Sequence, residues 1–270
     1  MLSTLYLDYS TSGYTNPIIF FICTVVFPIS IAALANRIEG KSFTEFLGFT
    51  GTPIFISSMM LMSAGIIGMI FFVITRPLSI LLTGTSIYST FLFMFLPLSS
   101  KPFWFLAMTP LMGFVFYAVV AVGEEILKLT GTKIVANWLY DKTNGKGKNW
   151  IITIGFLISL LGWMGCHIFS WGSLPILGVV MGILLSVAFI SPMFFAEPLT
   201  SPGGFQLTAM FSIWAPIAGH LTYDFLLSMM TEGTLAVGMS EGILISFTLL
   251  IVGGGLLAYQ YFNRTGIFRL

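Results

Sequence analysis

Charge is what this sequence has least of. Aspartate, glutamate, lysine and arginine make up 8% of its 270 residues, where a soluble domain carries about 25%. So thin a charged surface excludes an ordinary water-soluble globule. The balance of 11 basic against 10 acidic residues also excludes a large field that would draw nucleic acid or an anionic partner. Cysteine is nearly missing: Cys23 and Cys166 sit in separate apolar stretches, so neither a disulfide framework nor a CxxC metal site is supported. The opening MLSTLYLDYSTSGYTN holds Asp8 and no basic residue, unlike the positive start of a cleaved signal peptide, and the N-terminus is expected to be retained. The strict alternation of an outer-membrane barrel is absent, as is any internal repeat or low-complexity tract.

What remains is apolar. Hydrophobic residues make up 57% of the chain and its mean hydropathy is +0.98. Runs that approach or exceed the roughly 20 residues needed to cross about 30 Å of hydrocarbon fall at 17–35, 53–75, 78–98, 103–129, 151–169, 174–195, 205–230 and 242–262. The first is expected to end in the charged connection of Arg37, Glu39, Lys41 and Glu45, and the second at Arg76-Pro77, because proline lacks a backbone donor. Residues 130–140 either extend the fourth helix or form an interfacial piece, and the polar stretch DKTNGKGKNW follows them. The expected fold is all-α, a polytopic transmembrane helical bundle of about eight crossings. One domain, 1–270, is the simplest description.

Basic residues divide unevenly between the two ends of these spans. Arg76, Lys133, Lys142, Lys146, Lys148, Arg264 and Arg269 collect on one side, and Arg37, Lys41 and Lys101 on the other. Loops rich in lysine and arginine stay inside, so both termini are expected in the cytoplasm of a multi-pass protein of the cell membrane.

A few ionisable groups interrupt the apolar spans: Glu124, Glu125 and Lys128 on the fourth, His167 on the fifth, His220 and Asp224 on the seventh. Each costs about 2.5–3.5 kcal/mol at membrane depth on insertion scales, and such groups face an interior and take partners. Glu124 and Lys128 are spaced i, i+4, as are His220 and Asp224, so each pair shares a helix face. Asp224 can orient His220 or stabilise its protonated form. Glu124 and Glu125 stand about 100° apart around their helix, so one can do chemistry while the other anchors. Taken singly, Lys128 could snorkel to headgroups, Glu125 and His167 could be interfacial, and Asp224 could be a structural partner for His220. Three spans bringing the same kind of group argue together for a buried polar site.

Three chemistries use such groups. A carboxylate helped by a histidine can take a proton from water and turn it on a carbonyl, while a second histidine backed by an aspartate donates to the oxyanion. Alternatively, Glu124, His167 and His220 can bind zinc with an open position for water. A proton- or ion-coupled transporter would use the same residues without cleavage, and a catalytically silent scaffold would keep them for binding alone.

Glu124-Glu125-x-x-Lys128, Trp163-x-x-x-His167 and His220-x-x-x-Asp224, in that order on three hydrophobic spans, resemble the three motifs of the glutamate-type intramembrane proteases. That superfamily holds the CAAX prenyl endopeptidases, the bacterial Abi or CPBP proteins and the PrsW-type proteases. Its general pattern is EExxxR, FxxxH and HxxxN or HxxxD. Here Lys128 stands one position before the arginine, the EExxK form of the PrsW-type branch, with Leu129 in the arginine's place. Trp163 replaces the usual phenylalanine, and His167 agrees with the CAAX branch. The resemblance covers about 103–227, within a motif-bearing core of about 103–230, and implies that Glu124 activates water with His167 assisting, that His220 and Asp224 bind the oxyanion, and that Glu125, Lys128 and Trp163 support the site. It implies no required metal, and a substrate that is a membrane-anchored or lipidated protein or peptide, a prenylated CAAX end among the candidates. Gly165, Gly172, Pro216 and Gly219 flank the motif residues and read first as helix-packing positions. The stretch SPMFFAEPLTSPGGF joins the sixth and seventh spans.

Overall fold

The computed structural model describes residues 21–39, 53–77, 110–144, 148–167, 183–184, 186–188, 213–231 and 237–265. Among these every regular element is a helix. In chain order they are α1 (Phe27–Glu39), α2 (Pro53–Met69), α3 (Pro110–Lys142), α4 (Lys148–His167), α5 (Trp214–Thr231) and α6 (Met239–Thr265). The expected span 78–98 and the 191–205 connection lie outside the described residues, as do most of 174–195 and the start of 205–230. Two helices of the described set are long and apolar enough to cross a membrane, Pro53–Thr75 and Met239–Asn263. Side-chain contacts cover little of the second, only 22% of its most apolar window. Leu244, Ile245, Phe247, Ile251 and Val252 are exposed along it, unlike the core helix of a soluble domain.

The chain divides into two compact units, one of residues 1–47 and 88–184, the other of 48–87 and 185–270. In the first, α3 packs along α4 and against α1 and the turn preceding it. In the second, α2 packs against both α5 and α6.

Two prolines shape the helices they belong to. Pro28 has no N–H for the carbonyl of Thr24, four residues back, and its ring crowds that carbonyl. The helix answers by widening to five-residue spacing over Ile22–Val26, where the Phe27 N–H donates to the Ile22 carbonyl. Pro77 stands in the same relation to Val73, and Ile70–Thr75 widens likewise, with the Arg76 N–H on the Phe71 carbonyl. Arg76 and Pro77 were expected to end their helix. Both are themselves helical, because the widened turn absorbs the missing donor, and residues 78–109 lie outside those described. Arg37 and Glu39, expected in a connection, belong to α1, since no glycine or proline intervenes before Gly40.

The open question over 130–140 resolves as helix: α3 runs unbroken through 33 residues, about 50 Å. It ends where Thr143 N–H donates to the Leu139 carbonyl at 3.0 Å and Asn144 turns left-handed at φ 50°, a conformation asparagine tolerates better than most residues.

Close approach of backbones fixes the first unit. A Cβ on Gly123 would overlap the Thr24 carbonyl, so α3 meets the widened turn backbone to backbone just before the two glutamates. Gly123→Ala is expected to lower stability by about 1–3 kcal/mol, the usual effect of overpacking. Gly162→Ala, where an added Cβ meets nothing within 4 Å, should leave stability unchanged or raise it by up to about 1 kcal/mol through helix propensity. Thermal unfolding in detergent compares the two.

Candidate functional site

In the first unit the polar groups gather where α3 and α4 cross. The two helices run antiparallel, and their contacts step one turn at a time. Gly155 lies against the Thr132 carbonyl, Ser159 Oγ donates to the Lys128 carbonyl at 2.7 Å, and Trp163 Nε1 donates to Glu124 Oε2 at 2.8 Å. Small residues at 131, 155 and 159 bring the helices close enough for these contacts. The Lys128 carbonyl also accepts from Thr132 Oγ1 at 2.8 Å, so two hydroxyls hold the backbone at the lysine.

Side chains then close the group. Lys128 Nζ pairs with a Glu125 carboxylate oxygen and lies 4.5 Å from the centroid of the Trp163 ring. Trp163 therefore offers its N–H edge to one glutamate and its face to the cation that pairs with the other. Glu124, Glu125 and Lys128 are all buried, which charges at this depth tolerate only when partnered. Trp163 stands where the motif it resembles has phenylalanine. The indole supplies a donor that phenylalanine lacks. Trp163→Phe should therefore destabilise the unit by about 1.5–3 kcal/mol, the range for a hydrogen bond to a charged group, read by thermal unfolding in detergent.

His167 is the last residue of α4, one turn beyond Trp163, and its side chain lies outside those described, as do the side chains of Cys23 and Cys166 and the surroundings of Gly165. Gly172 also lies outside the described residues. Among the described residues no three His, Cys, Asp or Glu side chains form a metal-binding group; the zinc set drawn from the sequence includes His167.

In the second unit α5 carries His220 and Asp224. His220 Nε2 lies 3.2 Å from Asp224 Oδ2, with both side chains largely buried. The i, i+4 spacing produces this pair as the sequence anticipated. Pro216 falls in the first turn of α5, where no N–H donor is required, and Ser63 Oγ anchors that turn by donating to the Ala215 carbonyl at 2.5 Å. Two turns of the helix beyond, Tyr223 is buried with its ring edge-on to Phe71, centroids 6.3 Å apart. Phe71 belongs to the turn that Pro77 widens.

Three participants escaped the sequence reading: Gly123, Ser159 and Tyr223. Gly123 adjoins the glutamate pair and Ser159 stands one turn before Trp163, positions that only the register of α3 on α4 makes meaningful. Tyr223 adjoins Asp224 in HLTYD.

Compared with known proteins, the chain matches no family model, no curated protein and no solved structure.

Proposed function

We propose that the protein is an intramembrane endopeptidase of the glutamate type, a polytopic bundle of about eight crossings that hydrolyses a peptide bond of a membrane-anchored or lipidated substrate. The observation that carries this reading is the buried carboxylate Glu124, held by the Trp163 indole beside the Glu125 and Lys128 ion pair. Charged groups so placed on apolar helices cost free energy, and function is the ordinary reason to keep them. The order of the three motifs along the chain adds to it.

The membrane setting has its own support. Apolar side chains are exposed along α2 and α6. Trp138 and Tyr140 are exposed near Lys142 at the end of α3, the pattern of an aromatic and basic interface. Glu124 stands 14 residues from Trp138, about 21 Å along the helix, which is well inside hydrocarbon if the aromatics mark its edge. The basic residues near that edge assign it to the cytoplasm, with both termini on the same side of the cell membrane.

In the reaction, Glu124 takes a proton from water, with His167 assisting, as the water oxygen bonds to the substrate carbonyl carbon. The oxyanion accepts a hydrogen bond from His220, oriented by Asp224. Collapse breaks the C–N bond, the proton on Glu124 passes to the departing nitrogen, and an acid and an amine result. Glu125, Lys128 and Trp163 hold the base in place.

The test uses the purified protein in detergent with a panel of lipidated and transmembrane peptides, cleavage read by mass spectrometry, with and without chelator. Cleavage insensitive to chelator is expected. Loss with chelator and recovery with zinc would replace the glutamate mechanism by a metal-dependent one on Glu124, His167 and His220. Proton or ion flux across liposomes without any cleavage would sink the endopeptidase reading in favour of transport.

A further inference from the structure

We propose that Tyr223 is a second hydrogen-bond donor on α5, giving its phenolic O–H to the carbonyl oxygen of the scissile peptide bond; the proposal rests on the endopeptidase reading above. Tyr223 is nearly fully buried, and among the described residues its hydroxyl oxygen meets no hydrogen-bond partner. A buried hydroxyl left unsatisfied costs about 1–3 kcal/mol, and buried polar groups without a partner call for an explanation. Phenylalanine would fill the same space without that cost. A tyrosine here has a reason if the acceptor arrives from outside the chain.

Position and rigidity single out the acceptor's class. His220, Tyr223 and Asp224 fall within an arc of about 100° on α5, so the phenol shares its side of the helix with the ion pair. The ring is held edge-on by Phe71, which is itself edge-on to Phe72 at 5.2 Å between centroids. A ring so pinned keeps its hydroxyl aimed in one direction, and preorganised donors of this kind stabilise a charge that develops on a carbonyl oxygen.

The two donors complement each other. With Nε2 facing Asp224 at 3.2 Å, His220 has a second N–H to give only when its ring is doubly protonated. A phenol titrates near pH 10 in water and offers its O–H whatever the state of the imidazole. No proton is transferred from Tyr223: the O–H bond stays intact while the oxyanion forms and collapses.

Tyr223→Phe separates this role from a structural one. Kinetics are measured on a peptide that the wild type cleaves, beside thermal unfolding in the same detergent. The expected result is a fall in kcat of about 10²-fold, the scale for losing one oxyanion donor. KM should stay within a factor of about three, since a donor felt mainly in the transition state changes kcat rather than ground-state binding. The melting temperature should be unchanged or higher, because the variant removes an unsatisfied hydroxyl. An unchanged kcat overturns the proposal. A fall in both kcat and melting temperature overturns it too, since it would mean that the hydroxyl has a partner within the fold. A wild type that cleaves nothing in the whole panel overturns the endopeptidase reading and the role of Tyr223 with it; the other outcomes leave that reading standing.

Discussion

Glu124→Gln is expected to lower kcat by about 10²–10⁴-fold, the contribution of a positioned general base, while leaving the protein folded. The side chains are isosteric, and the glutamine carbonyl can still accept from Trp163 Nε1, which donates to Glu124 Oε2 at 2.8 Å. Only the capacity to take a proton disappears. Glu125→Gln should behave in the opposite way. It breaks the ion pair with Lys128 and leaves a buried ammonium with one carboxylate fewer, a change that typically costs about 3–5 kcal/mol. Its main effect is then on stability, with a smaller loss of kcat. Steady-state kinetics and thermal unfolding on both variants assign the roles. A stable but inactive Glu125→Gln beside an active Glu124→Gln would reverse them.

That contrast was only half legible in the sequence. The apolar runs at 53–75 and 242–262 could be read because membrane helices repeat one simple rule, apolar side chains over about 20 residues, and α2 with its widened turn covers 53–75 as expected. The pairing of His220 with Asp224 was legible for a similar reason, since i, i+4 spacing on a helix leaves little freedom. The partner of Glu124 was not. Its bond to Trp163 spans 39 residues and depends on the antiparallel register of α3 and α4, which Gly131, Gly155 and Ser159 set by allowing close approach. Small residues are common in membrane helices, so their pattern alone does not announce a register. Lys128 shows the same limit. Its i, i+4 relation to Glu124 was plain in the sequence, whereas its ion pair with Glu125 and its place over the Trp163 ring follow from side-chain directions that spacing does not specify. The widened turns before Pro28 and Pro77 were hidden for another reason: spacing and composition do not show how a helix accommodates a proline, whether within an expected span, as at Pro28, or at its expected end, as at Pro77.

His220→Ala is the second large effect expected, a loss of about 10²–10³-fold in kcat with KM little changed, as for removal of an oxyanion donor. The substitution also strips Asp224 of the imidazole 3.2 Å from its carboxylate. Some loss of stability should accompany it, smaller than for a fully buried pair because Asp224 retains partial exposure. A melting temperature measured beside the kinetics keeps the two effects apart. Asp224→Asn tests the other half of the pair. If Asp224 acts only by orienting His220 and stabilising its charged form, removing it lowers kcat in the presence of the histidine and has no further effect once the histidine is gone. The doubly substituted protein should then be no slower than His220→Ala alone, the non-additivity that marks residues working as one unit. Independent losses that multiply would give Asp224 a contact of its own with the substrate. Wild-type kcat in His220→Ala would remove His220 and Asp224 from the chemistry and return the pair to a structural role.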